Sequence, residues 1–143
     1  MIYFDSSALV KRYLREKGTE LVKSIIGAAE VVSTSKLTYP ETLSAFARKL
    51  RAGEIEKKPF QVALEQFQDD WKRLLVIEFH DQLLDVIRAL MQKYALKGAD
   101  SVHLSSALWL EEALKENVTF ITSDGNLLKA AEAENLKTIN PLG

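Results

Sequence analysis

A chain of 143 residues carrying 19 basic and 20 acidic side chains is one core's worth of sequence with almost no net charge, which excludes a strongly cationic nucleic-acid binder and an acidic tail at whole-chain level. Its 47% hydrophobic and 27% charged residues are ordinary globular usage and exclude disorder as the main state. The absence of cysteine removes disulfide scaffolds, thiol nucleophiles, thiolate zinc sites and iron–sulfur sites together.

In chain order, short β-branched or aromatic runs alternate with helical patterns. Ile2–Phe4 predicts a strand, Ser6–Lys17 a helix closed by Gly18, and Thr19–Ala29 a second helix. Val31–Thr34 is the next strand. Thr38–Ala52 is a helix with Leu43, Phe46, Ala47 and Leu50 on one face, ending at Gly53. Pro59–Leu74 carries Phe60, Leu64, Phe67, Trp71 and Leu74 in a 4-3-4-3 stripe, which serves either the core or a two-fold seam between copies. A strand at Leu75–Phe79 precedes helices at Asp81–Ala95 and Ala99–Glu116. A strand at Val118–Thr122, a helix at Asn126–Glu134 and a strand at Thr138–Ile139 complete the chain. This alternation predicts an α/β fold: one domain over 1–143, with a central parallel sheet and helices on both sides. No apolar run reaches the ~18 residues of a membrane span. The N-terminus has no basic region leading into an apolar core, so a cytoplasmic location is expected.

In such a sheet, ligands bind beyond the carboxyl ends of the strands. Asp5 follows the first strand and Asp124 the fourth. Glu41 lies in the first turn after the second strand, and Asp100 opens a helix in Gly98-Ala99-Asp100-Ser101. Each acid alone is a good helix cap or dipole partner, and Thr38 with Glu41 reads as a capping box. The set reads differently. Two carboxylates ~5 Å apart repel by about 3 kcal/mol at an effective dielectric near 20. A cluster of four calls for protons or a hard cation, Mg²⁺ or Mn²⁺, and a cation open to phosphate is a phosphoryl-transfer site. Only two histidines exist, which poorly supplies paired-imidazole chemistry. His103, three residues after Asp100, reads as either a structural hydrogen-bonding group or a wall of the site. No phosphate-binding loop, dinucleotide fingerprint or serine-hydrolase elbow is present.

These residues resemble the PIN-domain family of metal-dependent ribonucleases. Tyr3-Phe4-Asp5-Ser6-Ser7-Ala8-Leu9-Val10-Lys11 resembles its opening strand and helix. Glu41 matches the second acid, Gly98-Ala99-Asp100-Ser101-Val102-His103-Leu104 the third, and Thr122-Ser123-Asp124 the fourth. The likeness covers nearly the whole chain, and its length resembles the VapC-type toxins of type II toxin–antitoxin pairs. The resemblance implies a Rossmann-like three-layer fold. It implies Asp5, Glu41, Asp100 and Asp124 as the catalytic acids, with Asp5, Asp100 and Asp124 as ligands of Mg²⁺ or Mn²⁺. Ser6 and Thr122 match pocket-orienting positions. Gly125 and Asn126 stand where some relatives carry a further acid. Partners implied are an RNA substrate, a second copy in a homodimer, and an antitoxin. A housekeeping RNA-processing nuclease and a non-catalytic RNA-binding module are the alternatives. Residues 1–58 hold 11 basic against 7 acidic side chains, so Lys11, Arg12, Arg15 and Arg48 are candidate phosphate contacts.

Overall fold

A computed structural model describes residues 1–143. Five short strands form one parallel sheet: β1 (Ile2–Phe4), β2 (Val32–Ser35), β3 (Leu75–Ile77), β4 (Thr119–Ile121) and β5 (Lys137–Ile139), in the order β3-β2-β1-β4-β5. The helices are α1 (Ser6–Leu9), α2 (Thr19–Ala28), α3 (Thr38–Arg51), α4 (Lys57–Trp71), α5 (Gln82–Lys93), α6 (Gly98–Leu114) and α7 (Gly125–Ala133). The expected α/β architecture is borne out.

Side chains alternate across each strand, so neighbouring residues feed opposite layers. Tyr3 and Phe120 enter a core with Leu90, Leu104, Leu110 and Leu127 of α5, α6 and α7. Phe4 and Ile121 enter the other, with Leu9, Val22, Phe46 and Phe67 of the helices from α1 to α4. Both faces of the sheet are therefore covered, as a parallel sheet requires. No helix is long and apolar enough to cross a membrane.

Four expectations change. The helix expected over Ser6–Lys17 stops early: α1 passes into a 3-10 turn at Val10–Arg12. Ala8, Leu9, Val10, Lys11 and Leu14 are all buried, more of the circumference than one straight helix against one layer can hide. Gly18 does not close that helix. It sits at φ +97° ahead of α2, where a Cβ would lie 2.9 Å from the Pro141 carbonyl oxygen. The stripe on α4 is core: Phe67 is fully buried, and Phe60, Leu64, Trp71 and Leu74 pack against the same cluster. Edge-to-face pairs of Phe67 with Tyr13 (5.4 Å) and Phe46 (5.9 Å) bind α4 to its own chain, so the stripe serves the core, with Phe60, Leu64, Trp71 and Leu74 left partly exposed. Finally, β3 ends at Ile77, since it is an edge strand paired only with β2, and Phe79 beyond it is 57% exposed.

The sheet order fixes where a site forms. From β1 the chain runs outward through β2 to β3, then returns to lay β4 on the other side of β1. The crevice between the carboxyl ends of β1 and β4 is the topological switch point.

Candidate active site at the switch point

Asp5 leaves β1 at this crevice and is 3% exposed. It caps α1, accepting from the Ala8 backbone N–H at 3.0 Å. Its carboxylate also accepts from Thr122 Oγ1 at 2.6 Å and from Ser7 Oγ at 2.8 and 2.9 Å. Burial pushes the Asp5 carboxyl up, opposed by the nearby His103 and by the Thr122, Ser7 and Ala8 hydrogen bonds. Thr122 in turn accepts from the Asp124 backbone N–H at 3.0 Å, tying the ends of β1 and β4 together. Asp124 caps α7, its Oδ1 accepting from the Leu127 N–H at 3.0 Å.

Asp100 stands in the first turn of α6, where no side chain caps the helix. Burial raises its carboxyl above the ordinary range, and the charges of Asp124 and Asp5 raise it further. The Asp5 and Asp124 charges thus reach Asp100, and the Thr122 bonds join Asp5 to the Asp124 backbone.

Glu41 behaves differently. The capping box expected with Thr38 does not form: Thr38 is buried against Thr34 Oγ1 at 2.7 Å, and Leu37 precedes the helix with no side-chain cap. The Glu41 carboxylate instead meets His103 Nε2 at 2.7 Å. Burial alone would raise the Glu41 carboxyl, but the His103 hydrogen bond and charge, with a Ser6 hydrogen bond, outweigh it and hold the carboxyl below its ordinary value. Ser6 thus orients Glu41, while Ser7, a residue without any acidic signature, orients Asp5.

A groove of about 1210 Å³ opens beside these acids. Ser6, Ser7, Glu41 and Ser123 line it, as do Arg48, Lys49 and Arg51 further along α3. Arg51 lies ten residues beyond Glu41, a rise of roughly 15 Å on a helix. Asp5, Asp100 and Asp124 do not line this groove. The Ser123 hydroxyl on its wall is buried without a hydrogen-bond partner.

The four candidate phosphate contacts separate. Lys11 lines the groove but is 5% exposed and paired with Glu16 at 2.8 Å. Arg12 faces Asp70 at 3.7 Å and Arg15 pairs with Glu20, and neither lines the groove. Arg48 lines it and touches only the Ser44 hydroxyl, at 3.0 Å, so its charge is uncompensated.

No three histidine, aspartate or glutamate side chains stand close enough to close a cage around a metal ion. Mg²⁺ rarely uses one. It is held through one or two carboxylates with several waters retained. Hard oxygen donors with Asp100 destabilised by its neighbours' charges fit such an ion in donor type and in sign.

The family model described as the PIN domain matches residues 2–133 of the chain. Ribonuclease VapC45 of Mycobacterium tuberculosis (strain CDC 1551 / Oshkosh) and ribonuclease VapC49 of Mycobacterium tuberculosis (strain ATCC 25618 / H37Rv) are each 32% identical over 108 residues, 76% of this chain and 75% of theirs. The crystal structure of FitAcB from Neisseria gonorrhoeae is similar in fold, with a TM-score of 0.70 at 18% identity, covering 99% of this chain and 98% of that one. Mycobacterium tuberculosis VapC20, described as a sarcin-ricin loop cleaving toxin, superposes with a TM-score of 0.68 at 13% identity over 99% of this chain and 100% of that one.

Proposed function

The chain belongs to the PIN domain family, and on that premise we propose that it is a divalent-metal-dependent endoribonuclease, the cytoplasmic toxin of a toxin–antitoxin pair. The observation that carries this reading is the link across the switch point, where Thr122 Oγ1 donates to the buried Asp5 carboxylate at 2.6 Å and accepts from the Asp124 backbone N–H at 3.0 Å, beside an Asp100 whose carboxyl is raised by burial and by both charges. Carboxylates gathered at one sheet edge, one of them buried, are a liability for folding and an asset for holding a cation.

Asp5, Asp100 and Asp124 would supply the carboxylates for Mg²⁺ or Mn²⁺, one or two in direct contact and the rest through retained waters. When bound, the ion supplies Lewis-acid stabilisation of phosphoryl charge and a water of lowered pKa. The chain's own residues do the rest. Ser7 and Thr122 fix the Asp5 carboxylate from two sides. Glu41, held ionised, accepts a hydrogen bond from the attacking water and receives its proton. Arg48 contacts a phosphate flanking the one cleaved. Chelation is expected to abolish cleavage of a single-stranded RNA, and Mg²⁺ or Mn²⁺ to restore it. Undiminished cleavage in chelator by contaminant-free protein would refute the metal requirement.

Arg48→Ala tests the strand's path. Phosphate contacts position without reading sequence. The variant should raise KM several-fold with kcat little changed, and the salt dependence of binding should fall by about one released counterion, a slope change of ~0.7 for single strands. An unchanged KM and slope would move the strand off α3.

A toxin–antitoxin complex from Klebsiella pneumoniae shares the fold, with a TM-score of 0.62 at 12% identity, and favours an antitoxin partner, while the second copy rests on the family resemblance alone. The most exposed large apolar residues available to a seam are Phe79, Val62 and Leu84, at 57%, 50% and 48% exposure. Light scattering should give about twice the 16.1 kDa chain mass. A monomer at all concentrations would remove the homodimer from the proposal.

A further inference from the structure

We propose that His103 is a positioning residue for Glu41, the middle member of a buried Tyr3–His103–Glu41 chain that sets the direction of the Glu41 carboxylate. The inference rests on the ribonuclease reading above and assigns a role to a side chain outside the acid set.

The chain is continuous. The Tyr3 hydroxyl lies 2.8 Å from His103 Nδ1, and His103 Nε2 lies 2.7 Å from Glu41 Oε1. Tyr3 is 0% exposed and His103 1% exposed. They come from the middle of β1 and from α6, 100 residues apart, and the second link spans 62 residues to α3. Three elements of the fold therefore meet in two hydrogen bonds.

The proton positions follow from the groups' chemistry. An ionised carboxylate only accepts, so Nε2 carries hydrogen and donates to Glu41. Nδ1 faces the Tyr3 hydroxyl, so both ring nitrogens have a hydrogen-bond partner and the ring cannot turn without losing both. A phenol keeps its proton at neutral pH and so has one to donate. The Tyr3 ring cannot swing away, because it stacks on Phe120 at 5.3 Å and an interplanar angle of 7°, and meets the His103 ring edge-on at 6.0 Å. The imidazole is thus locked from behind, and it locks the carboxylate in front. A single hydrogen bond from a mobile partner would leave the half-buried Glu41 free to change rotamer. This arrangement denies it that freedom, which is what preorganisation of a reacting carboxylate requires.

The experiment is steady-state RNA cleavage by wild type, His103→Leu, His103→Gln, Glu41→Gln and the Glu41→Gln/His103→Leu double variant, all in Mn²⁺. His103→Leu is expected to lose about 10- to 100-fold in kcat, the usual cost of removing a partner that orients a site group. KM should change less than twofold. His103→Gln, whose amide can still donate to Glu41, should recover most of that loss. In the Glu41→Gln background, His103→Leu should cost nothing further in kcat, although it still lowers the melting temperature. A merely structural histidine would lower kcat by the same factor in both backgrounds and would not be rescued by glutamine, and either result overturns the proposal. If His103→Leu does not fold, Tyr3→Phe removes one link and keeps the stacked ring, and full kcat in that variant is the overturning result. A second readout is independent of activity. Nitrogen-15 spectra of the wild-type ring should show a protected Nε2–H whose shift moves in Glu41→Gln. An unprotected or unmoved Nε2–H overturns the chain even if the protein cleaves no RNA, whereas a protected, Glu41-sensitive proton without cleavage would leave the hydrogen-bond chain standing and defeat the ribonuclease reading instead.

Discussion

Asp100→Asn is expected to lower kcat for RNA cleavage by about 10²–10³-fold, the range seen when one preorganised electrostatic group is removed from a site of developing charge. The substitution is nearly isosteric and sits in the first turn of α6, where Asp100 makes no capping bond, so no structural contact is lost with the charge. Its effect on stability should run the other way. Burial, then Asp124 and Asp5, raise the Asp100 carboxyl in the folded protein. The folded state therefore binds this proton more tightly than the unfolded chain does. Between the ordinary carboxylate value and the raised one the folded state holds more protons, so stability of the metal-free wild type falls as pH rises through that window. Asp100→Asn has no such proton to lose. In chelator, its melting temperature above the window should equal or exceed that of wild type, with a flatter pH profile. A variant that is both inactive and unstable would instead make Asp100 a structural group.

Much of the site was legible because strand ends are legible. Asp5 and Asp124 directly follow β-branched or aromatic runs, and a parallel sheet sends such residues to one edge. Glu41 was harder, since Thr38-x-x-Glu41 satisfies a capping pattern that the folded chain does not use. What decides between the two is His103, 62 residues away, and no local pattern carries a contact of that length. Ser7 escaped for a related reason: a serine two residues after an acid is chemically ordinary until the fold brings Thr122 beside it at 3.3 Å. The basic candidates show the limit from the other side. Lys11, Arg12 and Arg15 lie on a segment rich in positive charge, but each finds a carboxylate once the chain turns at Val10–Arg12, and only Arg48 keeps its charge for a ligand. The α4 stripe was correctly periodic and silent about its partner, because periodicity reports that a face is buried and not what buries it.

The central claim is that the acids at the switch point hold a divalent ion, and Asp5 offers the sharpest test because it does two things at once. It caps α1 through Ala8, a role worth about 1 kcal/mol with or without metal. It also stands within the field of Asp100. Asp5→Ala mixes the two effects, since it strands Thr122 and the Ala8 N–H as well as removing charge. Asp5→Asn keeps an acceptor oxygen for the Ala8 N–H, and the Thr122 hydroxyl, which now bonds the other carboxylate oxygen, can turn to accept from the new amide, so the charge goes with most of the bonding kept. Selective binding to the folded state stabilises by about 2.7 kcal/mol at a hundredfold excess of ligand over its dissociation constant. For a chain of this length that is roughly 5–11 °C in melting temperature. The measurement is the rise in melting temperature on adding Mn²⁺ after chelation, for wild type and Asp5→Asn side by side. The account predicts a rise of that size in wild type and little or none in Asp5→Asn, with near-equal melting temperatures in chelator. An equal rise in both proteins, or none in wild type at millimolar Mn²⁺, would contradict it.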